Sequence, residues 1–198
     1  MHRFTHLLGF CSATDKNRKL SAYGDGLALY PWQRAAGYAY ALRSGIVGKV
    51  ILFGPDTECS AYAEEMAKHG VSTSELEFLE THETTIGNGR VMQEYLEKLV
   101  GEHTVCSSTS AYHASRAELI GRLNFELTVP CIPAEAFIFA AQDKMNVDEA
   151  AKLLWSFCPK SLVPSNGVHD LVYDRRTVAE LQGTGALLAG NYHTDKHV

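Results

Sequence analysis

Short runs of apolar, β-type residues alternate along the chain with longer segments in which apolar positions recur at helical spacing. This alternation is typical of βαβ units, in which parallel strands form a central sheet and helices cover its faces. Beyond Pro133 the pattern changes to helical segments alone. The sequence therefore predicts one α/β domain, with a mainly parallel sheet of five or more strands over about residues 4–132 and a helical C-terminal extension over about residues 133–198.

The boundaries of the elements follow from where each pattern begins and ends. Strands are expected where short apolar runs suit burial on both faces of a sheet. These runs are Phe4–Gly9, Lys49–Phe53, Leu76–Leu79, Thr104–Ser108 and Phe125–Ile132. Helices are expected where apolar residues recur at intervals of three and four. These segments are Pro31–Ser44, Glu58–His69, Thr84–Val100, Ala111–Leu123, Ala134–Ala141, Val147–Phe157 and Leu171–Gln182.

Composition places the chain among ordinary globular proteins. Of its 198 residues 45% are hydrophobic and 21% are charged, which is far from the composition of disordered chains. The net charge is -5 and no long basic run is present, so a nucleic-acid partner is not expected. The apolar stretch near the N-terminus is too short for a signal segment or a membrane span, and we expect a cytoplasmic protein without a membrane span.

The cysteines are not arranged as a disulfide framework. There are five of them, an odd number, and none forms a Cys-x-x-Cys pair. Cys106 and Cys131 lie inside apolar runs, where cysteine usually behaves as a small buried hydrophobic residue. We therefore expect reduced thiols.

In an open parallel sheet, ligands bind at the carboxyl ends of the strands, so the residues just after each predicted strand are the candidates for chemistry. Four such junctions are notable: residues 9–12, 54–58, 80–88 and 107–116. The last contains a run of hydroxyl residues that ends a strand and opens a helix, which can bind an anion through side-chain hydroxyls and free backbone N–H groups. His113 and Arg116 follow Ser110 at intervals of three and lie near one face of that helix. A helix cap at Thr109 or Ser110 with a solvated Arg116 is the alternative interpretation.

Two other junctions are open to both a structural and a functional interpretation. Thr85 and Asn88 lie at a helix start, where capping and tight packing account for them as well as ligand binding does. Glu58 can complement a helix N-terminus without any further role.

No histidine or acidic motif has metal-ligand spacing, so no metal is expected. The motifs of dinucleotide, P-loop and α/β-hydrolase sites are lacking as well.

The order of these junctions resembles the DUF218 family (YdcF/SanA/ElyC-like). The family pattern runs from a first strand through an Arg-containing helix, an acidic helix start and Thr-x-x-Asn to Thr-Ser-x-x-His-x-x-Arg. The matching positions are Leu8-Gly9, Arg34-Ala35, Glu58, Gly70-Val71, Glu80, Thr85 with Asn88, and Thr109-Ser110 with His113 and Arg116. The chain departs from the pattern where glycine pairs are usual, with Gly9-Phe10 and Phe53-Gly54-Pro55 instead, and Glu83 stands where a serine is common.

The resemblance implies a Rossmann-like fold of three layers and a pocket for a small anionic or nucleotide-like molecule. Its expected ligand-binding residues are Gly9, Arg34, Gly54, Thr85, Asn88, Thr109, Ser110 and Arg116, with His113 and Glu58 as catalytic candidates. One branch of the family is linked to S-adenosylmethionine, which with a nucleotide is the cofactor to consider, although the residues require none.

Three functions stay open on the sequence alone. The first is an enzyme, either a transferase or a hydrolase acting on a phosphorylated or S-adenosylmethionine-like substrate. The second is a non-catalytic sensor or carrier of such a ligand. The third is an interaction protein in envelope maintenance. The C-terminal helices either cover the pocket or form a dimer.

Overall fold

The computed structural model describes residues 3–11, 29–81, 85–125, 127–142 and 144–157. Five strands lie in this part of the chain, in the order β1 (Phe4–Phe10), β2 (Val47–Gly54), β3 (Leu76–Glu80), β4 (Val105–Thr109) and β5 (Cys131–Pro133). The α-helices are α1 (Leu29–Arg43), α2 (Asp56–Lys68), α3 (Thr85–Lys98), α4 (Ala111–Phe125), α5 (Ala134–Gln142) and α6 (Val147–Phe157). A short 3-10 helix, Thr73–Glu75, precedes β3.

The expected α/β fold is confirmed. The five strands form one sheet in the order β3-β2-β1-β4-β5, and every neighbouring pair is parallel. The chain builds the sheet outward from β1 in one direction and, after β3, continues from β4 on the other side of β1. The order of connection therefore reverses between β1 and β4, which is the place where sheets of this type bind ligands.

Alternate residues of each inner strand supply the two faces of the sheet. Leu7 and Leu52 belong to one apolar cluster, which α1, α2, α5 and α6 complete. Leu8 and Ile51 belong to a second cluster, with residues of α3 and α4. Because these strands are buried on both sides, they read in the sequence as continuous apolar runs rather than as alternating ones.

The fifth strand was the least accurate prediction. It was expected over Phe125–Ile132, but Phe125 is the last residue of α4 and the strand covers only Cys131–Pro133. The ring of Phe125 lies against Gly89 of α3, where a Cβ atom would be 2.7 Å from the ring. This apolar residue therefore belongs to the contact between two helices, which local sequence cannot distinguish from a strand.

The remaining expectations for the extension and the cysteines have mixed outcomes. Two of the three expected C-terminal helices are present as α5 and α6 and pack on the α1 side of the sheet. The third, Leu171–Gln182, and Cys158 lie outside the described residues. The four described cysteines are buried and none is in a disulfide bond with another described residue. None of the helices in the described part combines the length and the apolar character that a transmembrane span requires.

Candidate functional site

The carboxyl ends of β1 and β4 lie side by side, and α1 and α4 leave them toward opposite faces of the sheet. The register pairs Gly9 of β1 with Ser108 of β4, so Phe10 and Thr109 are the last strand residues at this edge. The polar groups that follow these two strands are therefore close in space although they are about 100 residues apart.

Arg34 of α1 is the central charged residue at this edge. Its side chain is 2% exposed, and its Nε donates a hydrogen bond of 2.7 Å to the Ser110 hydroxyl. One terminal nitrogen lies 3.4 Å from the carbonyl oxygen of Phe10. Arginine is rarely buried without a specific partner, so this contact between α1 and the start of α4 is a specific feature of the site. It brings together two residues that the sequence predicted to share a ligand pocket.

Tyr38, one helical turn after Arg34, fixes the two strand ends. Its hydroxyl lies 3.0 Å from the carbonyl oxygen of Phe10 and 2.7 Å from that of Ser108. Gly9 leaves the room for this ring, because a Cβ there would be 2.6 Å from a Tyr38 ring carbon. Burial raises the pKa of the Tyr38 phenol well above its usual range, so the hydroxyl remains a donor. Gly9, predicted as a ligand-binding residue, thus has a packing role in this structure.

Glu135 is a site residue that the sequence analysis missed. It lies in the first turn of α5, and its carboxylate accepts a hydrogen bond of 3.0 Å from the backbone N–H of Ala111 at the start of α4. Burial raises the pKa of this carboxyl group, against the opposing effects of its own backbone N–H, the Arg34 charge and the Ala111 N–H. Glu135 follows the last residue of β5, Pro133, by two positions, so the rule of strand ends applies to it as it does to the other four junctions.

A close approach of two helices places Arg34 and Glu135 near each other. Gly37 of α1 faces the backbone of Ala134, and a Cβ at Gly37 would lie 2.3 Å from the Ala134 carbonyl oxygen. Any larger residue would therefore separate α1 from the start of α5. This contact explains a glycine inside a helix, where glycine is otherwise unfavourable.

Glu58 and Gly54 lie beside Cys11, at the end of β2. A Cβ at Gly54 would be 2.9 Å from the Cys11 Cβ and 3.2 Å from a carboxylate oxygen of Glu58. Burial raises the pKa of the Cys11 thiol, with smaller contributions from Cys59 and Glu58. Cys11 is therefore a protonated thiol at neutral pH and not an activated nucleophile.

The hydroxyl run after β4 lies in the interior. Ser107, Ser108, Thr109 and Ser110 are each 4% exposed or less. The Thr109 hydroxyl lies 3.1 Å from Nδ1 of His113, whose ring forms a T-shaped contact with that of Phe10 at 6.1 Å between centroids. The Ser108 hydroxyl has no hydrogen-bond partner among the described residues. Thr109 and Ser110 thus hold His113 and Arg34, and their ligand-binding role stays a prediction.

Asn88 occupies a separate contact at the end of β3. Its side-chain oxygen accepts a hydrogen bond from the Thr81 hydroxyl, and both residues are buried. Since β3 is separated from β1 by β2, this pair lies two strands away from the end of β1. The side chains of Thr85 and Arg116, the other two predicted ligand-binding residues, lie outside the described part of the structure.

Comparison with known proteins adds nothing to the geometry of the site. Comparison of the chain with protein-family models, curated proteins and solved structures yields no match. Within the described residues, no three His, Cys, Asp or Glu side chains are grouped as metal ligands. The site is thus defined by its own contacts: a buried guanidinium and a carboxylate at the edge where the strand order reverses.

Proposed function

We propose that this chain is a DUF218-like protein that binds a small anionic or nucleotide-like metabolite at the carboxyl ends of β1 and β4. The observation that supports the proposal most is the buried Arg34, held by Ser110 at the place where the strand order reverses. A guanidinium presents a planar set of donors that matches carboxylate and phosphate groups. Arg34 is therefore the residue that would bind the anionic group of the ligand.

The neighbouring residues define the rest of the proposed pocket. Ser110 orients Arg34, and Thr109 orients the imidazole of His113 through its hydroxyl. Asn88, Thr85 and Arg116 belong to the proposed pocket on the rule of strand ends and on the family resemblance. S-adenosylmethionine or a nucleotide as the cofactor rests on the family resemblance alone.

The leading function is an enzyme, a transferase or hydrolase, in which His113 is the general acid or base and Glu58 is a second catalytic group. A histidine oriented by a hydroxyl on one ring nitrogen can exchange a proton through the other. The second function is a sensor or carrier that binds the same ligand without transforming it.

Ligand capture tests the binding proposal directly. The native protein is purified and extracted, and released small molecules are identified by mass spectrometry. Calorimetry then measures the affinity for the identified compound, for nucleotides and for S-adenosylmethionine. We expect an anionic compound whose affinity falls at least about tenfold in Arg34→Lys, because lysine cannot reproduce the planar pair of donors. Lys49→Gln, which changes an exposed cation, is the control. An affinity equal in both variants and the wild type would refute the proposed site.

A product search separates the enzyme from the carrier. The ligand is incubated with the wild type and with His113→Gln, and products are followed by mass spectrometry. An enzyme loses about 100-fold or more of its turnover in the variant and keeps its ligand affinity. Tight binding without any product in the wild type identifies a carrier.

A further inference from the structure

Cys11 and Cys59 are a pair of adjacent thiols beside Gly54, the last residue of β2. Both are buried, and they belong to the same apolar cluster. The Cys59 sulfur lies 3.5 Å from the carbonyl oxygen of Gly54, and a Cβ at Gly54 would be 2.9 Å from the Cβ of Cys11. The two thiols share a hydrogen bond, so their sulfur atoms are direct neighbours although the residues are distant in sequence.

The other two described cysteines are also buried but are arranged differently. Cys106 and Cys131 lie on the neighbouring strands β4 and β5, yet they belong to different apolar clusters, on opposite faces of the sheet. Side chains on opposite faces point away from each other, and such cysteines cannot be joined without movement of the backbone. Cys106 and Cys131 are therefore a matched control for the first pair.

We propose that Cys11 and Cys59 are a redox pair, which a small-molecule disulfide such as oxidised glutathione converts into a reversible disulfide bond. Cys11 directly follows β1, and Cys59 lies in the first turns of α2. The bond therefore fixes the end of β1 to the start of α2. Because the charges of Glu58 and Arg34 both act on the Cys11 thiol, the pair adjoins the candidate site. The inference needs no ligand and is independent of the proposed function.

The reaction consists of two successive thiol–disulfide exchanges. The thiolate of one cysteine attacks a sulfur of oxidised glutathione, which breaks the glutathione S–S bond, forms a mixed disulfide and releases one glutathione thiolate. The thiolate of the second cysteine then attacks the protein sulfur of the mixed disulfide and releases the other glutathione. Two protein thiols are oxidised, one glutathione disulfide is reduced, and the two protons pass to the released thiolates. Since both cysteines are buried, the exchange depends on local opening, which costs less free energy than global unfolding.

Peptide mapping of the wild-type protein tests the proposal without any substitution. The folded protein is incubated with excess oxidised glutathione, the reaction is quenched with acid, and the remaining thiols are alkylated in denaturant. Mass spectrometry then identifies the peptides before and after reduction with dithiothreitol. We expect a peptide that joins Cys11 to Cys59 and disappears on reduction, and no peptide that joins Cys106 to Cys131.

Chemical denaturation tests whether the bond fixes the two elements. The bond closes a long loop in the unfolded chain, so oxidation should lower the unfolding equilibrium constant of the wild type at least about tenfold. Cys59→Ala should lose the linked peptide and this stabilisation, whereas Cys106→Ala should keep both.

Three results would overturn the inference and leave the proposed function unaffected. The first is that Cys11 and Cys59 stay reduced or carry only glutathione. The second is a bond between another pair in its place. The third is an equal unfolding constant for the oxidised and the reduced wild type.

Discussion

Two polar groups of residues lie on the same sheet and differ in burial. The carboxyl-end cluster comprises Arg34, Tyr38, Ser110 and Glu135 at the ends of β1 and β4. The cross-strand row comprises Glu77, Lys49, His6 and His103, which follow one another across β3, β2, β1 and the residues before β4. Arg34 is 2% exposed, whereas the Lys49 and Glu77 side chains are 44% and 35% exposed.

The comparison shows that charge alone does not identify a functional site. Both groups contain cations, carboxylates and hydrogen bonds. Water solvates the cross-strand row, so its contacts form and break at little cost in free energy. Arg34, Tyr38 and Ser110 of the carboxyl-end cluster have lost that solvation, and their polar groups depend on one another. Polar residues maintained in the interior at the reversal of strand order are therefore the better functional candidates.

Loss of the Arg34 charge is expected to have the largest effect on stability. Arg34→Met should lower the free energy of unfolding by about 2–4 kcal/mol, because the buried Ser110 hydroxyl and the Phe10 carbonyl lose hydrogen bonds from a charged donor. Chemical denaturation measures the change. The control is Arg90→Met on α3, whose guanidinium forms an exposed pair with Glu94 and whose loss should cost about 0.5 kcal/mol or less. Equal losses in the two variants would show that Arg34 is not electrostatically coupled to the cluster.

Substitution of Gly37 tests the helix contact that brings Arg34 and Glu135 together. Gly37→Ala places a methyl group 2.3 Å from the Ala134 carbonyl oxygen, a backbone atom that cannot rotate away. We expect a loss of about 1–3 kcal/mol, less the gain in helix propensity that alanine brings.

Gly121→Ala is the matched control for Gly37→Ala. Gly121 is also a helical glycine, but its nearest contact would be an ordinary 3.5 Å to Leu127, so alanine should leave stability unchanged or raise it by up to about 1 kcal/mol. A Gly37 variant as stable as this control would contradict the close approach of α1 and α5.

The sheet could be predicted from the sequence because its inner strands are buried on both faces. Such strands form short apolar runs, and β2 differs from its prediction, Lys49–Phe53, only by added residues at its ends. The prediction for the short β5 began too early in the chain. Phe125 is apolar because its ring packs against Gly89, which is distant from it in sequence, and not because it lies in a strand. The local pattern of apolar residues thus identifies a strand or helix when burial of that same element is the reason for its apolar residues.

The site could be predicted only in part, for a similar reason. The rule of strand ends selected Ser110 and the family resemblance selected Arg34, and the two side chains are in contact. It did not indicate that the Glu135 carboxylate reaches the first N–H of α4, since that contact depends on how α1 and α5 pack at Gly37. Side chains that bridge two elements become visible only when the packing of those elements is known.

The cross-strand row is expected to respond to pH, with a smaller effect. Burial, followed by the charges of His103 and Lys49, lowers the pKa of His6 below 6.5, its ordinary value, while Glu77 opposes the shift. A folded-state pKa below the unfolded one means that the neutral form stabilises the fold. The contribution of neutral His6 to the free energy of unfolding is complete above pH 6.5. It is lost as the pH falls from 6.5 through the folded-state pKa.

Titration by NMR checks this expectation. The ring resonances of His6 should titrate below pH 6.5 in the wild type and move toward that value in His103→Gln, which removes one of the opposing charges. Because the row is largely solvated, the accompanying loss of stability should stay below about 1 kcal/mol. A His6 pKa that is unchanged in His103→Gln would show that the two rings are not coupled.

The ion pair between Lys49 and Glu77 is expected to have the smallest effect of all. A double-mutant cycle with Lys49→Gln and Glu77→Gln isolates the pairwise energy from other consequences of each change. We expect a coupling energy of about 0.2–1 kcal/mol, because both side chains remain in water, and a further decrease at high salt. The same cycle with Arg34→Met and Glu135→Gln should give a larger coupling that is insensitive to salt. If the two cycles gave equal energies with equal salt dependence, burial would not distinguish the carboxyl-end cluster from the cross-strand row.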